Sequence, residues 1–316
     1  MQKRNLGNSD LLVAPIAFGG NVLGWTANEK SSFEILSAFT DAGFNLIDTA
    51  DVYSRWASGV GGESETIIGK WMKQKGNRKN VIIATKGGMD MGQGKTDVTK
   101  KYLIKAAEDS LKRLQTDYIA LYQTHKDDES IPVEEALEAY AQLIKEGKVR
   151  HVGASNFTVA RLTAALNASE KNGLARYITL QPLYNLYERE VFEKELEPFC
   201  LKNNIGVLNY FALASGFLTG KYRSKNDLSK SVRGDRVKHL LNDRGLKVLN
   251  GLDEVASRHS SDCAAIALAW LLHRPSVTAP IASATNLQQL DSLIKAVDIK
   301  LTSQEVLLLD EASKWK

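Results

Sequence analysis

Residues 81–86 read Val81-Ile82-Ile83-Ala84-Thr85-Lys86, and residues 118–125 read Tyr118-Ile119-Ala120-Leu121-Tyr122-Gln123-Thr124-His125. Both are short, nearly continuous apolar runs that end in an ionisable side chain. Between them Leu103, Ala107, Leu111 and Leu114 recur at helical spacing, with Lys100, Lys101, Lys105 and Lys112 off that face. A strand without polar alternation is buried on both faces, and two such strands joined by an amphipathic helix make a parallel β–α–β unit. The fold follows from how often this unit repeats.

It repeats along the whole chain. Strands are expected at Pro15–Gly20, Asn45–Ala50, Val81–Lys86, Tyr118–His125, Val149–Asn156, Tyr177–Asn185, Ile205–Leu213 and Val277–Ala284. Val133, Leu137, Tyr140 and Ile144 mark another helix, started by Pro132. Thr285-x-x-Gln288 and Thr302-x-x-Glu305 read as capping boxes, and Gly43, Gly147, Gly173 and Gly206 as helix-end or pre-strand glycines. Residues 214–241 read as a long polar loop and residues 242–259 as an extra helix. Eight β-then-α units imply an α/β chain closed into a (β/α)8 TIM barrel, one domain over residues 1–316, with an N-terminal β-hairpin and extra C-terminal helices. An open doubly wound sheet would place G-x-G-x-x-G after its first strand; here that strand ends in Gly19-Gly20, and Gly59-Val60-Gly61-Gly62 matches only in part.

Composition narrows the function. The 316 residues are 43% apolar and 25% charged, with a formal charge of +4 and no dense Lys/Arg block, so no nucleic-acid or membrane partner is expected. Cys200 and Cys263 form neither a disulfide framework nor a metal knuckle, and read as small buried hydrophobes. The first ten residues carry no apolar signal segment, and the run Cys263–Leu272 is too short for a bilayer. A reduced, cytoplasmic setting and a monomer are the default expectations.

In a (β/α)8 barrel the C-terminal strand ends line the active site. Asp48, Lys86 and His125 fall at three consecutive strand ends, and Tyr53 follows Asp48 in its loop. A lone strand-end Asp is often an N-cap, a lone Lys a solvated tip, a lone His a structural residue. Four such groups on three consecutive units point to chemistry. An ammonium beside a phenol favours the phenolate, a carboxylate keeps that ammonium charged, and an imidazole donates a hydrogen bond to a substrate oxygen. The set suits an oxygen that gains or loses a proton while something else happens at carbon. It calls for no metal, and no His-x-His pair or carboxylate cluster at metal-ligand spacing supports a metallohydrolase. His151, His239, His259 and His273 are read as structural.

At these residues the chain resembles the aldo-keto reductases. The resemblance spans Ala17-Phe18-Gly19-Gly20, Asn45–Ala50 with Tyr53, Ala84-Thr85-Lys86, Leu121–His125, Val152-Gly153-Ala154-Ser155-Asn156-Phe157, Gln181-Pro182-Leu183-Tyr184-Asn185 and Gly216–Tyr222, in order over essentially the whole chain. It implies a catalytic tetrad of Asp48, Tyr53, Lys86 and His125, and reduction of an aldehyde or ketone by NAD(P)H with Tyr53 as acid. It implies that Ser155, Asn156 and Gln181 hydrogen-bond the nicotinamide carboxamide and that Tyr210 stacks on the ring. Backbone around Leu213 and Ser215, with Lys221, would take the pyrophosphate. Ser283, Thr285 and Gln289 would meet the adenosine end. Trp25, Trp56 and Tyr184 are candidates for the substrate wall, ordinary packing being the alternative for each Trp. Two positions depart from the family. Phe211-Ala212 replaces a frequent Ser-Pro pair, and residues 282–289 lack the Lys or Arg that NADPH-preferring members commonly carry. The resemblance favours NADPH, with NADH open. Some relatives of this family serve as slow accessory subunits of channels, which is the alternative function.

Overall fold

The computed structural model describes residues 1–315. Its strands are β1 (Arg4–Asn5), β2 (Leu12–Val13), β3 (Ala17–Gly19), β4 (Leu46–Asp48), β5 (Ile82–Gly87), β6 (Ile119–Thr124), β7 (Val149–Ser155), β8 (Tyr177–Gln181), β9 (Gly206–Val207) and β10 (Ile281–Ala282). The last eight form one parallel sheet in the order β10-β3-β4-β5-β6-β7-β8-β9. Its ends meet: Val207 bridges Val277, the Thr278 amide donates to the Val207 carbonyl at 2.9 Å, and the Ile281 amide donates to the Asn209 carbonyl at 3.0 Å. Helices follow the strands in turn, from Glu29–Asp41 to Leu287–Lys295, and Ser303–Ala312 closes the chain. This is the (β/α)8 barrel the repeat predicts, and β1–β2 is the N-terminal hairpin.

The hairpin plugs the bottom of the barrel. Leu6, Leu11 and Val13 cluster with Ala17, Leu46, Ala84, Leu121, Ile178 and Leu208. The plug sits so close that a Cβ on Gly7 would lie 2.1 Å from the Ile178 carbonyl oxygen, and one on Gly206 would lie 2.6 Å from the Gly7 nitrogen. Gly206, expected at a helix end or just before a strand, is the first residue of β9 and serves this close approach.

Side chains alternate along a strand, so every second residue shares the inner face. Leu46 and Asp48, Ala84 and Lys86, Leu121 and Gln123, and Thr179 and Gln181 are such pairs. The lower member of the first three lies in the apolar plug, and the upper members are polar and almost fully buried. Ile47, Ile83, Tyr122 and Leu180, between them, pack outward under the helices. The sequence thus builds an apolar floor and a polar ceiling one pleat apart.

Several expected boundaries move. Tyr177–Asn185 stops at Gln181 because Pro182 follows and has no amide to donate. Ile205–Leu213 and Val277–Ala284 shrink to two residues each; Pro280 breaks the latter ladder, although its carbonyl still accepts from the Ala17 amide at 3.0 Å. Residues 214–241 are not a bare loop but carry short turns of helix at Ala214–Thr219, Lys225–Lys230, Gly234–Val237 and Lys238–Leu240. The extra helix lies at Asp243–Arg258. The Thr302–Glu305 capping box is present, whereas Thr285 and Gln288 do not form one. The cap is Asn286, which accepts from the Gln289 amide, while the Gln289 side chain reaches back to Thr285. Among the described residues no helix is long and apolar enough to cross a membrane.

Candidate active site

The four strand-end groups converge. Lys86 Nζ donates to Asp48 Oδ2 at 2.7 Å, to the Tyr53 hydroxyl oxygen at 2.9 Å and to the Thr49 carbonyl at 2.8 Å. All three ammonium protons thus have acceptors, which suits a side chain that is fully buried. The Tyr53 hydroxyl donates to Asp48 Oδ2 over a long 3.3 Å. Local backbone sets this up. Asp48 ends β4, the Thr49 amide donates to Ala84 and the Asp51 amide to Lys86, so the loop to Tyr53 is laced to β5. The His125 ring stands edge-on to Tyr53 with centroids 5.9 Å apart, half-buried, and its Nδ1 has no partner.

The electrostatics follow from burial. Low-dielectric surroundings, reinforced by the Asp48 carboxylate, push the Tyr53 phenol well above its ordinary value. The sequence suggested that Lys86 would favour the phenolate; burial and Asp48 outweigh it, so Tyr53 holds its proton. Burial lowers the Lys86 ammonium, opposed by Asp48. Burial and the nearby Lys86 charge hold His125 well below the usual histidine value, leaving a neutral imidazole that donates from one nitrogen only.

Across the mouth, Gln181 Nε2 donates to Asp48 Oδ1 at 2.9 Å, and the Ser155 hydroxyl donates to the Gln181 carbonyl at 2.9 Å. Asn156, left-handed at φ 58°, donates through Nδ2 to the His125 carbonyl at 2.9 Å and accepts from the Tyr210 hydroxyl at 2.8 Å. Asn156, Gln181 and Tyr210 therefore border the quartet in one connected network.

The model of the aldo/keto reductase family matches residues 15–314. The uncharacterized oxidoreductase YrpG of Bacillus subtilis is 35% identical over 98% of this chain and 95% of its own. The chain belongs to the aldo/keto reductase family. Aldo-keto reductase YhdN of the same bacterium is 35% identical over 92% of this chain and 85% of its own. A probable voltage-gated potassium channel subunit beta of Oryza sativa subsp. japonica is 34% identical over 95% and 92%. The protein is an oxidoreductase of a family that reduces carbonyl groups with NAD(P)H.

Does this reductase have a place for a dinucleotide? Ala214, Ser215 and Gly216 are three consecutive left-handed residues, at φ 46°, 56° and 93°. Such strain at non-glycine residues persists only where packing holds it, and it clusters at ligand clamps. Lys221 Nζ lies 3.3 Å from where a Gly216 Cβ would stand. The Arg233 guanidinium is 5.1 Å from the Trp25 ring centroid and that of Arg236 5.8 Å, and Arg233 Nη2 is buried without a partner. Among the described residues Lys221, Arg233 and Arg236 form no ion pair. A strained loop flanked by three uncompensated cations fits a dianionic pyrophosphate. At the last β/α turn Ser283 donates to Asn21 Oδ1 at 2.7 Å, beside Gly19, and Thr285 and Gln289 are tied to each other.

The substrate side needs one correction. Trp25 and Trp56 pack edge to face with centroids 5.5 Å apart, and Trp56 lies 6.0 Å from Tyr53, so both border the quartet. Tyr184 does not. It is fully buried against Phe192 and Trp270, and its hydroxyl donates to Glu193 at 2.8 Å. It holds the outer core together, because Pro182 ends the strand and turns the following residues away from the mouth. Sequence reading missed Gln123, whose Oε1 accepts from Gln181 at 3.5 Å and whose signal was its period-two spacing from Leu121. It also missed Arg233 and Arg236, whose one signal was the abundance of Lys and Arg in the long loop 214–241.

Proposed function

We propose that the protein reduces an aldehyde or ketone to an alcohol with NADPH, Tyr53 supplying the proton. The observation that carries this reading is the contact of Lys86 Nζ with both the Tyr53 hydroxyl at 2.9 Å and Asp48 at 2.7 Å. When bound, the dinucleotide supplies the hydride. The rest is the work of this chain. Ser155, Asn156 and Gln181 would hold the carboxamide; Asn156 Oδ1 keeps one lone pair beyond its bond to Tyr210. Tyr210 would face the ring, and Leu213, Ser215 and Lys221, joined by Arg233, would take the phosphates. The adenosine end would lie near Ser283, Thr285 and Gln289.

A carbonyl oxygen between Tyr53 and neutral His125 meets two donors. As negative charge develops there, the Tyr53 proton swings from its long bond to Asp48 toward that oxygen. Lys86 keeps donating to the phenol oxygen and so stabilises the phenolate left behind. Preorganised donors of this kind lower a barrier by several kcal/mol. Trp25 and Trp56 would form an aromatic wall, which favours small or aromatic carbonyls as substrates; the enzyme is proposed to work as a monomer in the cytoplasm. A second reading, an accessory subunit that binds the dinucleotide with slow turnover, is favoured by the Oryza sativa relative, named a probable voltage-gated potassium channel subunit beta.

Trp25 and Trp56 make the test direct. Quenching of tryptophan fluorescence should saturate with NADPH at lower concentration than with NADH, by about tenfold or more, if Ser283, Thr285 and Gln289 at the last turn hold the extra phosphate. Equal affinities would remove the NADPH preference. Steady NADPH consumption with an activated benzaldehyde supports the enzyme; tight binding without consumption supports the accessory subunit.

A further inference from the structure

Behind Tyr53 and Lys86 lies a cluster of charge that the proton transfer does not directly use. Asp51 sits in the loop between Asp48 and Tyr53 and is 2% exposed. Glu65, on the helix Glu63–Lys75, is fully buried; its Oε2 accepts from Arg113 Nε at 2.7 Å and its Oε1 from the Thr85 hydroxyl at 2.5 Å. The wall therefore holds three buried carboxyl groups, Asp48, Asp51 and Glu65, and two cations, the buried Lys86 and the partly exposed Arg113. Lys86 is bound to Asp48 and Arg113 to Glu65, each at 2.7 Å. Asp51 is the one left over, and its Oδ1 has no hydrogen-bond partner.

We propose that Asp51 is a positioning residue of the reaction, a neutral carboxyl behind the Tyr53–Lys86 pair whose loss of a proton makes Tyr53 give up its own less readily. The inference rests on Tyr53 as the acid–base group. Charge balance supports it: with both ion pairs formed, a third buried carboxylate would be uncompensated, which is costly. The groups that face Asp51 are Glu65 from its helix, Arg113 and Tyr102 from Lys100–Leu114, Lys86 from β5 and Tyr122 from β6; the Arg55 charge acts on Asp90 instead. Tyr102 and Tyr122 are phenols pushed upward, so they add no charge. Burial, then the Glu65 carboxylate, raises Asp51 to about 8, although Arg113 and Lys86 pull it down. The Asp51 amide donates to the Lys86 carbonyl at 3.1 Å, so its loop and the Lys86 strand move as one.

The consequence appears in alcohol oxidation, where Tyr53 must be deprotonated to take up the substrate hydroxyl proton. Below about pH 8 Asp51 is neutral. Above it, the added negative charge raises the Tyr53 phenol further and depresses the phenolate fraction. Asp51→Asn keeps the neutral form at every pH.

The experiment compares kcat/KM for oxidation of a benzylic alcohol by wild type and Asp51→Asn across the pH range from about 6 to about 10. The ratio of variant to wild type is expected to climb by about tenfold through this range, the size of one pKa unit of coupling. A purely structural defect lowers the ratio by one factor at all pH values, so a flat ratio overturns the proposal. Infrared spectra of wild type with isotopically labelled aspartate read the Asp51 proton without turnover, and serve if the variant fails to fold. A protonated-carboxyl band should fade as pH passes about 8. Absence of that band overturns the proposal and leaves the Tyr53 reading intact. A wild type that binds dinucleotide but never turns over, at any pH, overturns both.

Discussion

Tyr53→Phe should lose about a thousandfold in kcat while binding dinucleotide with nearly wild-type affinity. General acid catalysis by a positioned side chain contributes about 10²–10⁴-fold, and Tyr53 is the quartet member whose conjugate base Lys86 directly stabilises. Its hydroxyl is held by Lys86 at 2.9 Å but only loosely by Asp48 at 3.3 Å. Phenylalanine keeps the ring, and with it the tilted contact to Trp56 and the edge contact to His125. The pocket should stay intact, so the loss should fall on kcat and kcat/KM together, the signature of an interaction made only in the transition state. The structural cost is one buried hydroxyl with two partners, about 1 kcal/mol. Stopped-flow rates with an activated aldehyde, beside fluorescence titration of the dinucleotide, check both halves. A variant that reduces aldehyde at close to the wild-type rate would show that the proton comes from elsewhere.

Lys86→Met should cost stability as well as turnover, and a second mutation should return only the former. Lys86 is fully buried and Asp48 1% exposed. Removing one partner of a buried ion pair leaves the other uncompensated, at a cost of about 3–5 kcal/mol. Asp48 keeps Gln181 on Oδ1 and Tyr53 on Oδ2, so the lower end of that range, about 3 kcal/mol, is expected. Asp48→Asn/Lys86→Met removes the stranded charge. It should regain about half of the loss or more, and the two substitutions should be strongly non-additive. Turnover should not return, because nothing then stabilises the Tyr53 phenolate. Urea denaturation of wild type, both single variants and the double variant measures the coupling. Additive losses would mean that the pair is not the buried unit described here.

The barrel was legible because its strands are buried on both faces. Val81–Lys86 and Tyr118–His125 can be nothing else, and the helix between them has a clear apolar stripe. The floor-to-ceiling change was legible too, since Leu46 and Asp48, or Ala84 and Lys86, are two residues apart on one face. What sequence could not give were features fixed by distant parts of the chain. The shortness of β9 and β10 depends on how the sheet closes on itself. Gly206 answers to Gly7, two hundred residues away. Tyr184 stood in a motif beside Gln181, yet the turn at Pro182 sends it into the outer core. Arg233 and Arg236 reach Trp25 from a segment with no periodic pattern at all. Nothing in the sequence marks Asp51, and only the count of neighbouring carboxyls and cations sets it apart.

On the proposed reading, Tyr53, Lys86, Asp48 and His125 work beside a bound dinucleotide to turn a carbonyl into an alcohol. The measurement closest to it is a single turnover with NADPH deuterated at the nicotinamide C4, excess enzyme and benzaldehyde in ordinary water, with the product read by mass spectrometry. Benzyl alcohol carrying deuterium on its carbinol carbon, formed in proportion to the dinucleotide consumed, is the expected result. Saturating binding of NADPH and of NADH with no deuterium in any alcohol would contradict it.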